Sequence, residues 1–260
     1  MGGMQLYFIR HGQSTNNALP DDFEGETGSN NRKEDPDLTP IGIRQAQLTA
    51  EALAIRDSSL PTPHTPYGNV DFQNRQAFGL THLYCGLMVR AVHTGTIIAD
   101  RLGLPLVANV DMHECGGIYL QREVNNNKII EIMHGKGRSW FAEHYPNLQF
   151  VSPIAEEGWW PGGKEEYPPR MERAFRVIEF LKNRHAGTDD RVGVITHGSF
   201  FALLFRAFFK LDLHILRTAD QPYHLIYNNC GITRFNVDNP RFFELVYLNR
   251  TCHLPDELIT

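Results

Sequence analysis

Gln5-Leu6-Tyr7-Phe8-Ile9-Arg10-His11-Gly12 is the stretch whose reading decides the fold. Leu6 to Ile9 form an apolar run of the length expected of a buried strand, and it stops abruptly at Arg10, His11 and Gly12. Charge therefore collects at the carboxyl end of a strand, where open α/β sheets bind ligands because the departing loops form a crevice there. The three residue types suit a phosphate. Arginine offers a planar fork of donors, histidine a nucleophilic nitrogen, and glycine lets the backbone come close to the anion.

Working outward, Gln13 to Asn17 leads into a polar stretch from Pro20 to Asp37 that reads as a loop. Thr39 and Pro40 then suit the N-cap and first position of a helix running to about Asp57, with Ile41, Gln45, Leu48, Ala52 and Ile55 spaced along it. A second strand is expected over Leu80 to Tyr84, a helix over Met88 to Leu102 ended by Gly103, and a third strand over Leu104 to Val110. From Gly116 to Pro169 the pattern weakens, and this segment (about 116–169) is expected to be an inserted cap without a strand series of its own. A helix resumes over Arg170 to Asn183. A fourth buried strand, Arg191 to Thr196, ends in His197-Gly198-Ser199 before an apolar helix through Phe209. Two late strands, Gly231 to Val237 and Phe242 to Leu248, would close a sheet edge. Alternating strands and helices predict an α/β fold: a three-layer sandwich whose mostly parallel central sheet is covered by helices on both faces, residues 1–260 forming one domain.

Composition narrows the function classes. At 260 residues the chain can bury a sizeable core as one domain. A net charge of −5 argues against a nucleic-acid footprint, which needs a basic face. No apolar stretch has the length of a membrane span, and Met1-Gly2-Gly3-Met4 reads as a remnant before a start at Met4 rather than as a myristoylation signal. The chain is expected to be cytoplasmic, without nucleic-acid or membrane partners. Cys85, Cys115, Cys230 and Cys252 are scattered, which fits free thiols in a reducing compartment better than disulfides or a thiolate metal site.

Four expected strand ends carry reactive side chains: Arg10 with His11, Arg90 soon after the second strand, Glu114 after the third, and His197 after the fourth. A parallel sheet would bring these ends side by side, assembling a phosphate clamp, a nucleophile and a proton donor. On these residues the chain resembles the histidine phosphatase superfamily, the phosphoglycerate mutase-like group, in the branch of small-molecule phosphatases and cofactor-dependent mutases. The matching pieces are the Arg-His-Gly motif Arg10-His11-Gly12 with Gln13-Ser14 and Asn17, Leu38-Thr39 with Gly42 and Gln45-Ala46, Arg90-Ala91 with Thr94, Glu114, and Thr196-His197-Gly198. They run in family order over nearly the whole chain.

The resemblance implies a small-molecule phosphorylated substrate and two-step phosphoryl transfer through a phosphohistidine on His11. Arg10, Arg90 and a protonated His197 would surround the phosphate oxygens, with Asn17 adding a neutral hydrogen bond. Gly198 and Ser199 would present the amides of a helix N-terminus to the same anion. Glu114 would protonate the departing oxygen and later take a proton from water. The resemblance implies no cofactor and no metal, since two arginines and an imidazolium neutralise the phosphoryl group.

Mutases of the family follow the glutamate with a basic residue and a Tyr-Gly pair, whereas Glu114 leads into Cys115-Gly116-Gly117-Ile118-Tyr119; this favours a phosphatase. The acid phosphatase and phytase branch is disfavoured by Gln13-Ser14-Thr15 and by Gly198. Many relatives carry Gly-Glu-Ser before the helix preceding the fourth strand, which Gly163-Lys164-Glu165-Glu166 approximates. Within the cap, Lys128, Lys136, Arg138 and Lys164 are candidates for a second anionic group of the substrate, and Trp159 or Trp160 for stacking on its leaving group. The acidic stretch from Asp21 to Asp37 would repel anions if it crossed the entrance. Two other readings stay open: a mutase-type phosphotransferase and a non-catalytic phosphate-binding module. A metal-dependent hydrolase is disfavoured, because His113-Glu114 lacks a second histidine one helical turn on. The oligomeric state is open, a homodimer being one option.

Overall fold

In the computed structural model the opening apolar run becomes strand β1 (Met4–Arg10) at the interior of a seven-stranded sheet. The structure describes residues 3–19, 32–62, 64–65, 68–69, 71–124, 127–210, 225–239 and 242–260. In chain order the further elements are α1 (Pro40–Ala54), a two-stranded hairpin β2 (His64–Thr65) and β3 (Gly68–Asn69), β4 (His82–Cys85), α2 (Val89–Leu102), and β5 (Leu106–Ala108). Then follow β6 (Tyr119–Val124), β7 (Asn127–Ile132), α3 (Arg138–His144), β8 (Gln149–Phe150) and α4 (Tyr167–His185). The last are β9 (Arg191–Thr196), α5 (Gly198–Phe209), β10 (Ile232–Asn239) and β11 (Phe242–Arg250).

The sheet order is β11-β10-β1-β9-β4-β5-β8. Five neighbouring strands from β1 to β8 run parallel, while β10 and β11 add an antiparallel edge. Residues Leu6 to Ile9 of β1 are all buried because the pleat sends them alternately to two cores. Tyr7 and Ile9 join Leu83, Cys85 and Ile195 under α1 and α2. Leu6 and Phe8 join Tyr84, Val192 and Val194 under α4 and α5. Both faces are thus covered, which is the condition for a parallel sheet whose strands read as continuous apolar runs. Phe8 meets Phe201 and Phe208 with ring centroids at 5.7 Å in each pair, seating α5 against β1.

The register of these strands decides the site. Arg10 pairs with Thr196, so His11 and His197 leave adjacent parallel strands at one level. Cys85 pairs with both Ile195 and Ala108, which puts the segments bearing Arg90 and Glu114 beside them.

Two expectations differ from the structure. The segment over 116–169 holds the antiparallel hairpin β6–β7, helix α3, and β8, which extends the central sheet by pairing with β5. In α1 the residues singled out along the helix share the buried face only at Gln45: Ile41 is 40 % and Ile55 52 % exposed, and Gly42, Ala46, Thr49, Ala50 and Leu53 complete the inner face. This helix packs on backbone rather than on large side chains, so small and hydrogen-bonding residues line its inner face. Among the described residues no helix is long and apolar enough to cross a membrane.

A close backbone approach joins Gly42 to the chain just after β1. A Cβ at Gly42 would stand 2.1 Å from the carbonyl oxygen of Gln13, and one at Gly12 would stand 2.4 Å from that of Gly42. Alanine within a helix normally gains up to about 1 kcal/mol over glycine. Here overpacking against backbone, on the order of 3 kcal/mol, outweighs that gain. Gly42→Ala should therefore lower the thermal unfolding midpoint by several degrees; an unchanged or raised midpoint would show that the loop yields freely.

Candidate active site

The backbone of His11, Gly12 and Gln13 is tied to several elements of the fold. The His11 amide donates to the Thr196 carbonyl at 3.0 Å, continuing the β1–β9 ladder, and the Asn229 side-chain amide donates to the His11 carbonyl at 2.8 Å. The Gly12 amide donates to Thr94 Oγ1 of α2 at 3.0 Å, and the Gln13 amide to Gln45 Oε1 of α1 at 2.7 Å. Gln45 is held in turn through its own donation to the Leu258 carbonyl at 2.7 Å. Thr39 caps α1 by accepting from the Gly42 amide at 3.0 Å. Thr39, Gly42, Gln45 and Thr94 therefore shape the loop that presents His11, and none of them lines the cavity above it.

His11 is buried, and both ring nitrogens are engaged. Nδ1 lies 2.7 Å from the Gly12 carbonyl, which can only accept, so Nδ1 carries the proton. Nε2 accepts from Arg90 Nε at 3.1 Å and is the unprotonated nitrogen. Burial, then the Arg90 and Arg10 guanidiniums, hold the pKa of His11 well below its ordinary value. The ring is thus a neutral imidazole with its lone pair at the cavity floor.

Arg10 donates through Nη1 to the Tyr227 carbonyl, and its buried Nε has no partner. Tyr227 is itself anchored by donating to the Phe8 carbonyl at 2.7 Å. Gly198 opens α5 beside this guanidinium, where a Cβ would lie 3.7 Å from Arg10 Nε, an ordinary contact. His197 is wholly buried with its ring centroid 5.1 Å from that of His11, and neither of its nitrogens has a partner among the described residues. The protonated His197 implied by the resemblance refers to the phosphate-bound site, and the empty site differs from it. Burial, then Arg90 and His11, push its pKa well below the ordinary range, so the imidazole is neutral in the phosphate-free site. Unsatisfied buried donors at Arg10 and an unpaired imidazole are costly, which marks them as awaiting an anion.

Glu114 takes the place expected for the substrate anion at the N-terminus of α5. Its Oε1 accepts from the Cys115 amide at 2.7 Å and the Phe200 amide at 2.8 Å, and its Oε2 from the Ser199 amide at 3.2 Å. The Ser199 amide thus positions the carboxyl group instead of facing a phosphate. The segment before Glu114 is braced from α4. Arg173, buried, pairs with both oxygens of Glu165 at 2.7 Å and donates through Nη1 to the carbonyls of Asp111 and His113 at 2.7 and 2.8 Å. Its guanidinium lies over the Phe200 ring at 4.1 Å, joining the same brace to α5. Glu165 belongs to the Gly163–Glu166 stretch, the only sequence signal for this brace.

Arg10, His11, Asn17, Arg90, Glu114 and Ser199 line one cavity of about 260 Å³. Asn17 is oriented through its Oδ1, which accepts from the Ser14 amide and hydroxyl at 3.2 and 3.0 Å. Sequence reading missed the cations at the mouth, Arg32 and Lys33. The Lys33 backbone is clamped reciprocally to the Asn16 side chain at 2.8 and 3.0 Å. It also missed Asp35, whose buried Oδ1 accepts from the Val89 amide at 3.0 Å and stands 3.9 Å from Arg90 Nη1. Burial, opposed by Arg90, raises the Asp35 pKa to about 6. The described part of the acidic stretch therefore brings two cations to the mouth together with Glu34, while residues 20–31 lie outside the described residues.

The cap candidates are placed differently. Lys136 lies over Trp140 at 5.2 Å, Lys164 over Tyr119 at 5.7 Å, and Arg138 is exposed at the start of α3; none lines the catalytic cavity. The Lys128 side chain lies outside the described residues. Trp159 and Trp160 pack on His113 with centroids 5.3 and 4.7 Å away and border a neighbouring cavity of about 450 Å³ instead. Their indoles are part of the packing behind the Glu114 segment.

Comparison with known proteins agrees with this fold. The family model described as histidine phosphatase superfamily (branch 1) matches residues 6–60 and 72–251. A relative from Yersinia pestis named "Probable phosphoglycerate mutase GpmB" is 24% identical over 239 residues, covering 89% of this chain and 84% of its own. Among solved structures, Bacillus stearothermophilus YhfR superposes with a TM-score of 0.55 at 18% identity, covering 96% of this chain and 98% of its own. A mycobacterial glucosyl-3-phosphoglycerate phosphatase superposes with a TM-score of 0.52 at 16% identity, covering 95% and 99%. With its family model matched from β1 through β11 and the reactive side chains gathered at adjacent strand ends, the chain belongs to the histidine phosphatase superfamily, branch 1.

Proposed function

We propose that this chain is a metal-independent phosphatase that hydrolyses phosphomonoesters through a phosphohistidine on His11. The observation that carries the reading is the state of His11: a neutral imidazole with Nδ1–H fixed on the Gly12 carbonyl and the Nε2 lone pair at the cavity floor. A binding module has no use for that nucleophile.

The arriving phosphate draws the Arg90 N–H groups from Nε2 onto its oxygens and exposes the lone pair. Arg10 Nε and the two free nitrogens of His197 supply further partners. A dianion beside His197 reverses the field that kept it neutral and favours the imidazolium, placing charge where it develops in the transition state. Nε2 then forms the bond to phosphorus as the ester P–O bond breaks, and Glu114 delivers its proton to the departing oxygen. The Glu114 carboxylate next takes a proton from water, the hydroxyl attacks phosphorus, and the P–N bond breaks to release inorganic phosphate. Glu114 Oε2, with one long amide contact against two short ones at Oε1, is the oxygen better suited to carry the proton.

A mutase is the second reading, favoured by the printed name of the Yersinia pestis relative. Against it, Glu114 is followed by Cys115-Gly116-Gly117, and Gly117 has φ +76 with no room for a side chain beside Trp160. A second anionic group on the substrate would meet Arg32 and Lys33 at the mouth, with Glu34 setting an acidic limit beside them.

Three outcomes follow. Phosphate release from a panel of phosphomonoesters should persist in excess chelator and without a bisphosphate primer, and His11→Ala should lower it at least about a thousandfold. Dependence on primer would make the chain a mutase, and no turnover in either assay would leave a binding module. Removing Arg32 and Lys33 together (R32A/K33A) should raise KM about tenfold for substrates with a second anionic group while leaving singly substituted ones and kcat unchanged. Finally, Asp35 gains its charge as pH rises through about 6, and only then orients Arg90 ionically. The profile of kcat/KM should rise through that region, and Asp35→Asn should flatten the rise at the lower plateau; a variant profile identical to the native one would remove Asp35 from this role.

A further inference from the structure

Where the catalytic groups sit at the carboxyl ends of the parallel strands, a second set of donors lies at the opposite end. His82 begins β4, His185 ends α4, and Asp190 immediately precedes β9. One ligand atom from each lies within 4.8 Å of the others. His185 Nδ1 is 2.8 Å from Asp190 Oδ2, His82 Nδ1 is 3.8 Å from Asp190 Oδ1, and the two imidazole centroids are 4.6 Å apart. Bonds of about 2.0–2.1 Å in a tetrahedral site put neighbouring ligand atoms about 3.3 Å apart. The ligand atoms lie within 4.8 Å of one another, so closing the site draws them together by up to about 1.5 Å, which a ring turn at the accessible His82 can supply.

We propose that His82, His185 and Asp190 form a binding site for a transition-metal dication of the zinc type, with water in the fourth position. Two imidazoles and one carboxylate are the donor set of zinc and its nickel, cobalt and copper neighbours rather than of magnesium or calcium, which prefer oxygen ligands.

The partners of the outward nitrogens distinguish this cluster from a chance pair of histidines. Metal-binding imidazoles have their second nitrogen fixed by another group. His185 is buried, and its Nε2 is 3.0 Å from the Tyr84 hydroxyl. His82 Nδ1 is 2.9 Å from Thr81 Oγ1, which leaves Nε2 to turn towards the metal. In the metal-free protein His185 Nδ1–H donates to Asp190, and the Tyr84 hydroxyl donates to Nε2. On metal binding Nδ1 becomes the ligand and Nε2–H donates to the Tyr84 oxygen, a change of tautomer that releases no net proton. His82 is accessible, so the metal has a way in. Arg184 faces His185 and opposes the dication, and the Asp190 carboxylate offsets it.

Such an ion would tie the end of α4 to the starts of β4 and β9. It lies roughly 20 Å from His197, counting about 3.3 Å for each residue of β9, so it would stabilise the fold without entering the phosphoryl chemistry. The proposal stands whether or not the chain is a phosphatase.

The test uses the full chain stripped of metal and titrated with Co²⁺ and Zn²⁺. Co²⁺ should give the intense visible bands of four-coordination at one ion per chain, and Zn²⁺ should raise the thermal midpoint by several degrees. His82→Ala and, separately, Asp190→Asn should each weaken binding at least tenfold while keeping chelator-resistant turnover of any substrate found. His11→Ala should leave the Co²⁺ spectrum unchanged, since His11 and His197 are the competing imidazole pair. Absence of the bands, their survival in both His82→Ala and Asp190→Asn, or their loss in His11→Ala would each overturn the proposal.

Discussion

The N–H donated by Arg90 to His11 Nε2 is the interaction on which the rest of the site depends. It assigns the proton to Nδ1, keeps the ring neutral by setting a guanidinium against it, and caps the nucleophilic lone pair until a better acceptor arrives. A phosphate oxygen is that acceptor. On the proposed reading the same residue restrains the nucleophile in the empty site and clamps the substrate in the filled one, and it can do both because its own position is over-determined. Arg90 sits in the first turn of α2, whose leading amide is held by Asp35, and Asp35 in turn faces the guanidinium.

Burying two guanidiniums and two imidazoles beside one another is unfavourable, and the fold accommodates it by withholding charge and supplying fixed dipoles. Both imidazoles are kept neutral by burial and by the guanidiniums. Arg10 rests on a backbone carbonyl rather than on a carboxylate, so the net positive field is left for the ligand. The carboxyl group of Glu114, which lines the cavity beside Arg10 and Arg90, is tethered to amides instead of to the arginines. Had Glu114 paired with Arg10 or Arg90, it would have neutralised the clamp and lost its freedom to exchange a proton. The Arg173–Glu165 pair secures this separation by gripping the carbonyls just before Glu114.

Much of this was legible in the residues. The apolar run ending in Arg10-His11 had to be a doubly covered strand, and the reactive positions fell at strand ends because strand lengths and turn signals are local properties. The inner face of α1 was hard to read, since Ala46, Ala50 and Leu53 give it only a faint apolar periodicity among Gly42, Gln45 and Thr49. Trp159 and Trp160 look like ligand-stacking rings in sequence, yet they pack on His113 because the hairpin and loops of the cap fold back on the core. Arg32, Lys33 and Asp35 carried no signal at all. They reach the cavity only because a loop between β1 and α1 crosses to α2, and nothing local records that crossing.

By itself the sequence determined the alternation of strands and helices, the chemical identity of the residues proposed as nucleophile, clamp and proton donor, and their order along the chain. These follow from side-chain chemistry and from periodicities of two and 3.6 residues, which need no partner to be read. Only the tertiary structure decided the tautomer of His11, the neutrality of His197, the capture of Glu114 by the α5 amides and the cations at the mouth. Each of those depends on which distant groups share a dehydrated space, and the strength of an electrostatic interaction is set by that burial rather than by the residues alone.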